Sequence, residues 1–527
     1  MKTPCASWFR RHRHFLAILS VAALLRLHGL AAKGLWLDEA YSAHLAHCGW
    51  AALLRGLSRE STPPFYYLVL HCWVRLFGEG EAALRLPSVL FSLGGVCALY
   101  ALARKHFSSR SALIAAALIA FSLLHVYYAQ EARMYSLLAF LGTIFVDAAM
   151  GYAQERQVRA LAAAGVSATL MLYTHTVALW LVAGCGLAVF AVARENKARL
   201  GWLAMLTATG LAYSPWTFIL AKQVSRQQTV LEWLGPLWRS KSIAGHVADS
   251  LAGMCFGPFP NYVAIQGSAP SGVMALLAMT ALAVCGFLRA RASGAARLAC
   301  VTFLVALGLG IGYSGLAQPV FIPGRTDSYL LPLFLVFVAH GIAGLAWRPA
   351  RAMSVAGCGL LSALTLFPYY RDTEKDASRA YMASWRGTLH AGDAVIATGH
   401  TYAVCEYYMR RWQVPATLLS YPLSAQEHPG YLNSVEEMRR PQRLDKDAQD
   451  IARLLAARLG ARGEAVVLFS SPYAMNSRLL KQLNSALAPV PAAREPYHEA
   501  LIGAPVQVLR YRRYSLRPSA GNRRRRK

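Results

Sequence analysis

Apolar runs of about 17–21 residues, divided by short basic clusters, set the rhythm of the first 370 residues. A membrane helix needs ~20 mostly apolar residues. The pattern predicts eleven spans, near 14–32, 87–103, 111–128, 134–152, 158–174, 176–193, 200–220, 271–288, 297–317, 329–347 and 352–370. Basic residues gather in alternate connections: Arg104-Lys105-His106, Arg156 with Arg159, Arg194 to Arg199, Arg289 to Arg297, and Arg348 with Arg351. With Arg10-Arg11-His12-Arg13 at the start, the positive-inside rule puts these on the cytoplasmic side, together with the N-terminus. Residues 33–86 and 222–270 become long outer loops. The first holds two amphipathic stretches, about 39–57 and 64–77, parted by Pro63-Pro64 and expected in the interface plane. The apolar 243–256 segment is read as interfacial or re-entrant, because a span there would turn the later basic clusters outward.

Past residue 370 the period changes. Ala394–Thr398, Ala465–Ser470 and Val506–Leu509 are short β-like runs, and Tyr402–Trp412 and Asp447–Leu459 have helical spacing. The expected fold is a polytopic α-helical membrane protein with about 11 transmembrane helices over residues 1–370, followed by a small extracytoplasmic α/β domain over 371–527. The last stretch, Arg510 to Lys527, has nine basic residues and no acidic one. It is expected to be a solvated tail, with anionic headgroups as its functional alternative.

Composition agrees. The chain is 56% hydrophobic and 15% charged, against ~25% charged in average soluble proteins. Only twelve of the 26 carboxylates precede residue 371, so the domain boundary falls near Tyr370. The net charge of +28 is spread in clusters between apolar spans, which excludes nucleic acid as the partner. The ten cysteines include no CxxC pair, and Cys48 with Cys72 is the candidate disulfide of the first outer loop. The first span shows no cleavage site and is expected to stay as an anchor.

The candidate chemistry lies at the outer ends of the spans. Asp38-Glu39 follows span one, Glu131 and Arg133 follow span three, His175 follows span five and Arg325 follows span nine. Each has a plain structural reading. Asp38 caps a helix, Glu131 and Arg133 pair or snorkel, His175 caps its hairpin, and Arg325 anchors the interface. One shared outer cavity is the better joint account, because polar groups at bilayer depth need partners or water. Carboxylates beside arginines suit transfer from a lipid-linked sugar donor. A carboxylate takes the proton of the attacking hydroxyl, and arginines stabilise the departing phosphate.

Several stretches resemble the membrane-embedded GT-C glycosyltransferases, which include protein O-mannosyltransferases, the lipid A aminoarabinose transferase and bacterial galacturonosyltransferases. They are Leu35-Trp36-Leu37-Asp38-Glu39-Ala40-Tyr41-Ser42, Thr62-Pro63-Pro64-Phe65-Tyr66-Tyr67, Leu84-Arg85-Leu86-Pro87-Ser88 and Tyr127-Tyr128-Ala129-Gln130-Glu131-Ala132-Arg133-Met134-Tyr135. Leu172-Tyr173-Thr174-His175 and Tyr213-Ser214-Pro215-Trp216 match less closely. The resemblance implies Asp38 as base or acceptor-positioning group, with Glu39 beside it and Glu131 as a second outer acid. It implies a polyprenyl-phosphate sugar as the donor substrate, inversion at the anomeric carbon, and an extracytoplasmic lipid, glycan or protein as acceptor. Arg133, Arg325, His175, Tyr66, Tyr128 and Tyr135 are the residues assigned to the donor phosphate and lipid. No metal is assigned; Asp38 and Glu131 would be its ligands if one takes part. The sequence departs from the family at Ser61-Thr62, where many relatives have His, and at Arg325-Thr326-Asp327-Ser328-Tyr329, where relatives have Arg directly before Tyr.

The expected setting is a multi-pass protein of the cell inner (plasma) membrane, with membrane lipids around it and no reading of oligomeric state. Two other classes compete. A lipid-linked-sugar flippase or transporter would show repeated halves and midplane charges, and only Asp147 is a carboxylate within a span. A non-catalytic scaffold would keep its role after loss of Asp38.

Overall fold

The computed structural model describes residues 4–59, 62–230, 234–258, 270–371, 375, 378–427, 437–459, 463–469, 473–490 and 507–512. Ser61 and most of the basic tail lie outside them. The chain divides into two compact units, residues 1–32 with 45–372, and residues 33–44 with 373–527. The composition break near 370 gives no hint of the short 33–44 segment that the second unit takes from the middle of the first.

The first unit is helical. Among the described residues, six helices are long and apolar enough to cross a membrane: Glu81–His106, Tyr135–Glu155, Asn196–Lys222, Pro270–Ala290, Gly294–Leu316 and Arg348–Arg371. A bent pair, Ser109–Phe121 with Leu123–Ala129, raises the number to seven if it counts as one span. The protein is therefore multi-pass. The remaining predicted spans correspond to shorter apolar helices, such as Val158–Leu172, Ala178–Val192 and Leu331–Gly344, and to Pro4–Leu27. Tyr135–Glu155 is 78% buried and lies at the centre, while Pro270–Ala290 is 17% buried and lies at the rim. Small residues set the closest packing. A Cβ on Gly286 would fall 1.8 Å from the Phe337 carbonyl, and one on Gly341 would fall 2.0 Å from that of Leu282. These two helices touch backbone to backbone, as helices in lipid do where small residues meet.

Three sequence expectations need correction. The 111–128 span is bent by 58° at Ser122. A break in lipid frees carbonyls that need partners, and the buried Arg26 supplies them. Its guanidinium donates to the carbonyls of Ala120 at 3.0 Å and Ile119 at 3.2 Å, and to Ser92 Oγ at 2.7 Å. The 39–57 stretch is two helices, Leu37–His47 and Trp50–Arg59, because Cys48-Gly49 interrupts it. Cys72 carries a free thiol, so no bridge joins it to Cys48. The 243–256 segment is a helix, Ile243–Phe256; at 1.5 Å per residue it reaches only ~21 Å of a ~30 Å hydrocarbon core.

The second unit is built on a five-stranded sheet. In chain order its strands are β1 (Ala394–Thr398), β2 (Thr417–Tyr421), β3 (Glu464–Phe469), β4 (Ala488–Pro489) and β5 (Gln507–Arg512). The order is β2-β1-β3-β5-β4, with β1 parallel to β2 and β3, and β5 antiparallel to β3 and β4. β1 is buried along its whole length, as a central parallel strand should be. Ile396 and Val467 pack with Leu444, Ile451 and Leu455 of the Pro441–Arg458 helix and with Leu479 of Tyr473–Ala486. β2 and β4 were not expected: β2 carries Ser420 inside its run and β4 is two residues long. Arg510 and Arg512, read as part of a solvated tail, lie in β5 and pair with Glu464 across the ladder.

Candidate functional site

In the first unit the predicted residues Glu131 and Arg133 lie in the bend Gln130–Met134, which joins the Leu123–Ala129 helix to Tyr135–Glu155. Both are buried. Gln130 anchors the bend by donating to the carbonyls of His28 at 2.8 Å and Arg26 at 3.0 Å, and it accepts from Tyr369 at 2.8 Å. Arg133 donates through Nη1 to Tyr67 Oη at 2.8 Å. Tyr66 reaches the same bend through Ser88: the two hydroxyls are 3.0 Å apart, and Ser88 donates to the Arg133 carbonyl at 3.1 Å. The amide of Phe65 donates to the Tyr173 carbonyl at 2.8 Å, which ties the Pro63-Pro64 turn to the His175 turn.

The same core takes in the other predicted residues. The rings of Tyr128 and Tyr135 meet at 44° with centroids 4.5 Å apart, and Tyr135 lies 6.0 Å from the His175 ring. Tyr128 donates to the Gly324 carbonyl at 2.7 Å. Arg325 donates through Nε to Tyr135 Oη at 2.7 Å. Tyr128 is within electrostatic reach of Glu131, Arg325 and Asp327. His175 feels both Arg133 and Arg325: burial first, then these two cations, lower its pKa to about 3. Its Nδ1 accepts from the Val177 amide at 3.2 Å, which suits the neutral ring. So Glu131, Arg133, His175, Arg325, Tyr66, Tyr128 and Tyr135 form one connected group. Two guanidiniums, a neutral imidazole and phenol hydroxyls at low dielectric are a setting for an anion, and charge-assisted bonds to phosphate are the strong ones there.

Asp38 and Glu39 belong to the second unit. Both are in the first turn of the Leu37–His47 helix. Glu39 is fully buried and lies 3.5 Å from the equally buried Lys375 ammonium. Asp38 is half-buried. It acts on His400, in the turn after β1; burial lowers the pKa of that imidazole, and Asp38 partly offsets this. The segment is stapled to its unit: Tyr408 Oη accepts from the Leu35 amide at 2.9 Å, and His44 Nδ1 lies 2.7 Å from Glu406. Asp38 and Glu131, expected in a single cavity, belong to different compact units.

Sequence reasoning missed Tyr67, Ser88, Arg26, Lys375, His400 and Asp327. Tyr67 and Ser88 sit inside motifs already singled out, and the partners of Arg133 were the signal to look for. Asp327 lies in the quoted Arg325–Tyr329 stretch, but its link to Ser250, like the contacts of Arg26, Lys375 and His400, comes only through the tertiary fold. Among the described residues no three or more His, Cys, Asp or Glu side chains are grouped to hold a metal ion.

Residues 61–218 match the family model of dolichyl-phosphate-mannose-protein mannosyltransferase. Among solved structures, the chain is similar to ArnT from Cupriavidus metallidurans in the apo state, with a TM-score of 0.61 and 14% identity over 94% of this chain and 97% of that one. It is equally similar to the same protein bound to undecaprenyl phosphate, with a TM-score of 0.61 and 14% identity over 95% of this chain and 98% of that one. No curated protein matches the chain in sequence.

Proposed function

We infer that this chain is a GT-C membrane glycosyltransferase that moves a sugar from a polyprenyl-phosphate donor to an extracytoplasmic lipid, glycan or protein, a reading supported by the family model over residues 61–218 and by the likeness in fold to ArnT. The observation that supports this reading is the grouping of buried Arg133 and His175 with half-buried Arg325: His175 feels both cations, and each cation is bonded to a phenol. Similarity to an ArnT structure holding undecaprenyl phosphate supports a phosphate-bearing polyprenyl ligand.

The residues divide the work. Arg133 and Arg325 hold the phosphate and stabilise its charge as the glycosidic bond breaks. Tyr66, Tyr128 and Tyr135 fix the bend and loop that carry those cations, and a neutral His175 offers a hydrogen bond without adding charge. Asp38 takes the proton from the acceptor hydroxyl as that oxygen attacks the anomeric carbon with inversion. Glu131 is the second acid. The full eleven-span topology, the inner membrane and the outward position of the second unit belong to the same proposal.

The test is purified protein assayed with a panel of polyprenyl-phosphate sugars, with and without EDTA. Release of polyprenyl phosphate together with a glycosylated product supports the reading. Movement of the intact lipid across a vesicle bilayer, without product, would replace it with a flippase.

A further inference from the structure

Asp327 has no part in the mechanism above, yet it is fully buried beside Arg325. It sits where a loop and the Ile243–Phe256 helix meet. Ser250, buried on that helix, donates its hydroxyl to Asp327 Oδ2. Asp327 Oδ1 is buried without a hydrogen-bond partner among the described residues. One helical turn on, the two backbones touch: a Cβ on Gly253 would fall 2.8 Å from Gly324 Cα. Gly324 has φ +71°, and its own Cβ would stand 3.0 Å from Pro258 Cα. Ser250 and Gly253 are three apart and share a helix face. That face therefore grips the loop at Gly324 and at Asp327, on either side of Arg325. Tyr128 and Tyr135 hold the same loop from the opposite helices.

We propose that Asp327 is a positioning residue: clamped by Ser250, it fixes the loop so that Arg325 meets the phosphate of the lipid-linked donor. The proposal rests on the reading of Arg325 given above. A second consequence follows from the burial. It raises the Asp327 pKa to about 7, partly offset by Ser250 and by the amides of Gly324, Arg325 and Asp327. Below that pH the carboxyl is neutral and serves only as a clamp. Above it, an anion two residues from Arg325 competes with phosphate for the guanidinium. The titratable groups that feel Asp327 are Tyr128 across from it and Tyr329 on the following turn; Arg325 stands two residues before it on the same loop. From the Ile243–Phe256 helix Ser250 and Gly253 meet the loop; Asp249 is paired with Lys241 at 2.5 Å, and His246, one turn before Ser250, has its Nε2 3.0 Å from the Trp238 carbonyl.

The experiment measures undecaprenyl phosphate affinity of the full-length protein in nanodiscs from pH 6 to 8, beside melting temperature. Asp327→Ala should weaken binding ~10-fold at pH 6.5, as loss of a fixed charge-assisted contact does. Ser250→Ala should weaken it in the same direction but less. Asp327→Asn should bind like the parent protein at pH 6.5 and then hold its affinity as pH rises, while the parent loses ~10-fold relative to it. In turnover, Asp327→Ala should raise KM and leave kcat nearly unchanged. Adding Asp327→Ala to Arg325→Ala should cost nothing further, because one acts through the other. Parent-like affinity in folded Asp327→Ala, or losses that multiply in the double variant, would overturn the proposal. If Asp327→Ala does not fold, the pH curves of Asp327→Asn and the affinity of Ser250→Ala decide it. Undiminished binding by Arg325→Ala would instead remove the underlying reading of Arg325.

Discussion

The two acidic segments, Asp38-Glu39 and Glu131, look alike in sequence and differ in the structure. Each follows an apolar run, and each lies next to aromatic residues. Glu131 stays in the helical unit, buried in a bend whose neighbours are arginines and phenols. Asp38 and Glu39 are taken up by the sheet-bearing unit, where Glu39 is matched by a buried lysine and Asp38 remains half-buried. The end of a span fixes roughly how deep a residue lies. It does not fix which compact unit claims it; that depends on partners such as Tyr408 and Lys375, hundreds of residues away.

On the proposed reading the two segments have different tasks, proton transfer for Asp38 and phosphate binding for the bend of Glu131 through its Arg133. The largest expected effect tests this division. Asp38→Asn should lower turnover ~10²–10⁴-fold, the usual cost of losing a general base. It should leave undecaprenyl phosphate affinity unchanged. Loss of lipid binding in this variant would erase the distinction between the two segments.

Next in size is the Glu39–Lys375 pair. Glu39→Gln leaves a buried ammonium without its carboxylate, and breaking such a pair costs ~3–5 kcal/mol. A melting scan should show the second unit destabilised. A double variant with apolar residues of similar size, Glu39→Leu with Lys375→Met, should recover most of the loss. Folded Glu39→Gln should keep turnover within a few-fold of the parent protein. A folded but dead Glu39→Gln, beside an active Asp38→Asn, would move the base to Glu39.

Much of this was legible beforehand. The apolar runs near 87–103, 134–152, 271–288 and 297–317 each became a long helix, because an apolar run of that length has one stable form in lipid. β1 was read to the residue, since a buried β-branched run between turn signals allows little else. The motif order pointed to protein O-mannosyltransferases among others, and their family model matches residues 61–218. What escaped was tertiary. The break at Ser122 carries no proline; it persists because Arg26, from another helix, satisfies the freed carbonyls. Arg26 was passed over because only carboxylates were counted within the spans. Arg133, His175 and Arg325 were singled out from their positions alone, but Asp327 is one acid among many until Ser250 reaches it from 77 positions earlier.

The third prediction sharpens the phosphate side. Arg133→Ala removes a cation and its bond to Tyr67, so undecaprenyl phosphate affinity should fall ~10–100-fold, the value of a charged hydrogen bond. Tyr67→Phe should lose less, because the guanidinium remains. Equal losses in the two would mean that the Tyr67 hydroxyl, not the Arg133 charge, is what the ligand needs.

The smallest effect is one of stability against pH, and it belongs to the helical unit. His175 and Asp327 pull in opposite directions. The His175 pKa is lowered to about 3 in the folded protein, so between that pH and the free imidazole value the unfolded chain binds more protons. Its contribution is complete above ~6.5 and is lost as pH falls through that window. The Asp327 pKa is raised to about 7, so the folded chain holds the extra proton. Its contribution is complete below ~4 and is lost as pH rises toward neutrality. Between ~4 and ~6.5 the two slopes oppose each other, and the parent protein should melt at nearly constant temperature. Asp327→Asn leaves the histidine slope alone, so its melting temperature should climb with pH across that range. His175→Gln leaves the aspartate slope, and its melting temperature should fall. Differences of a few degrees are expected, since ~1 kcal/mol moves a large domain by ~2–4 °C. Parallel curves for the two variants would show that neither group keeps its shifted protonation when the helical unit is folded.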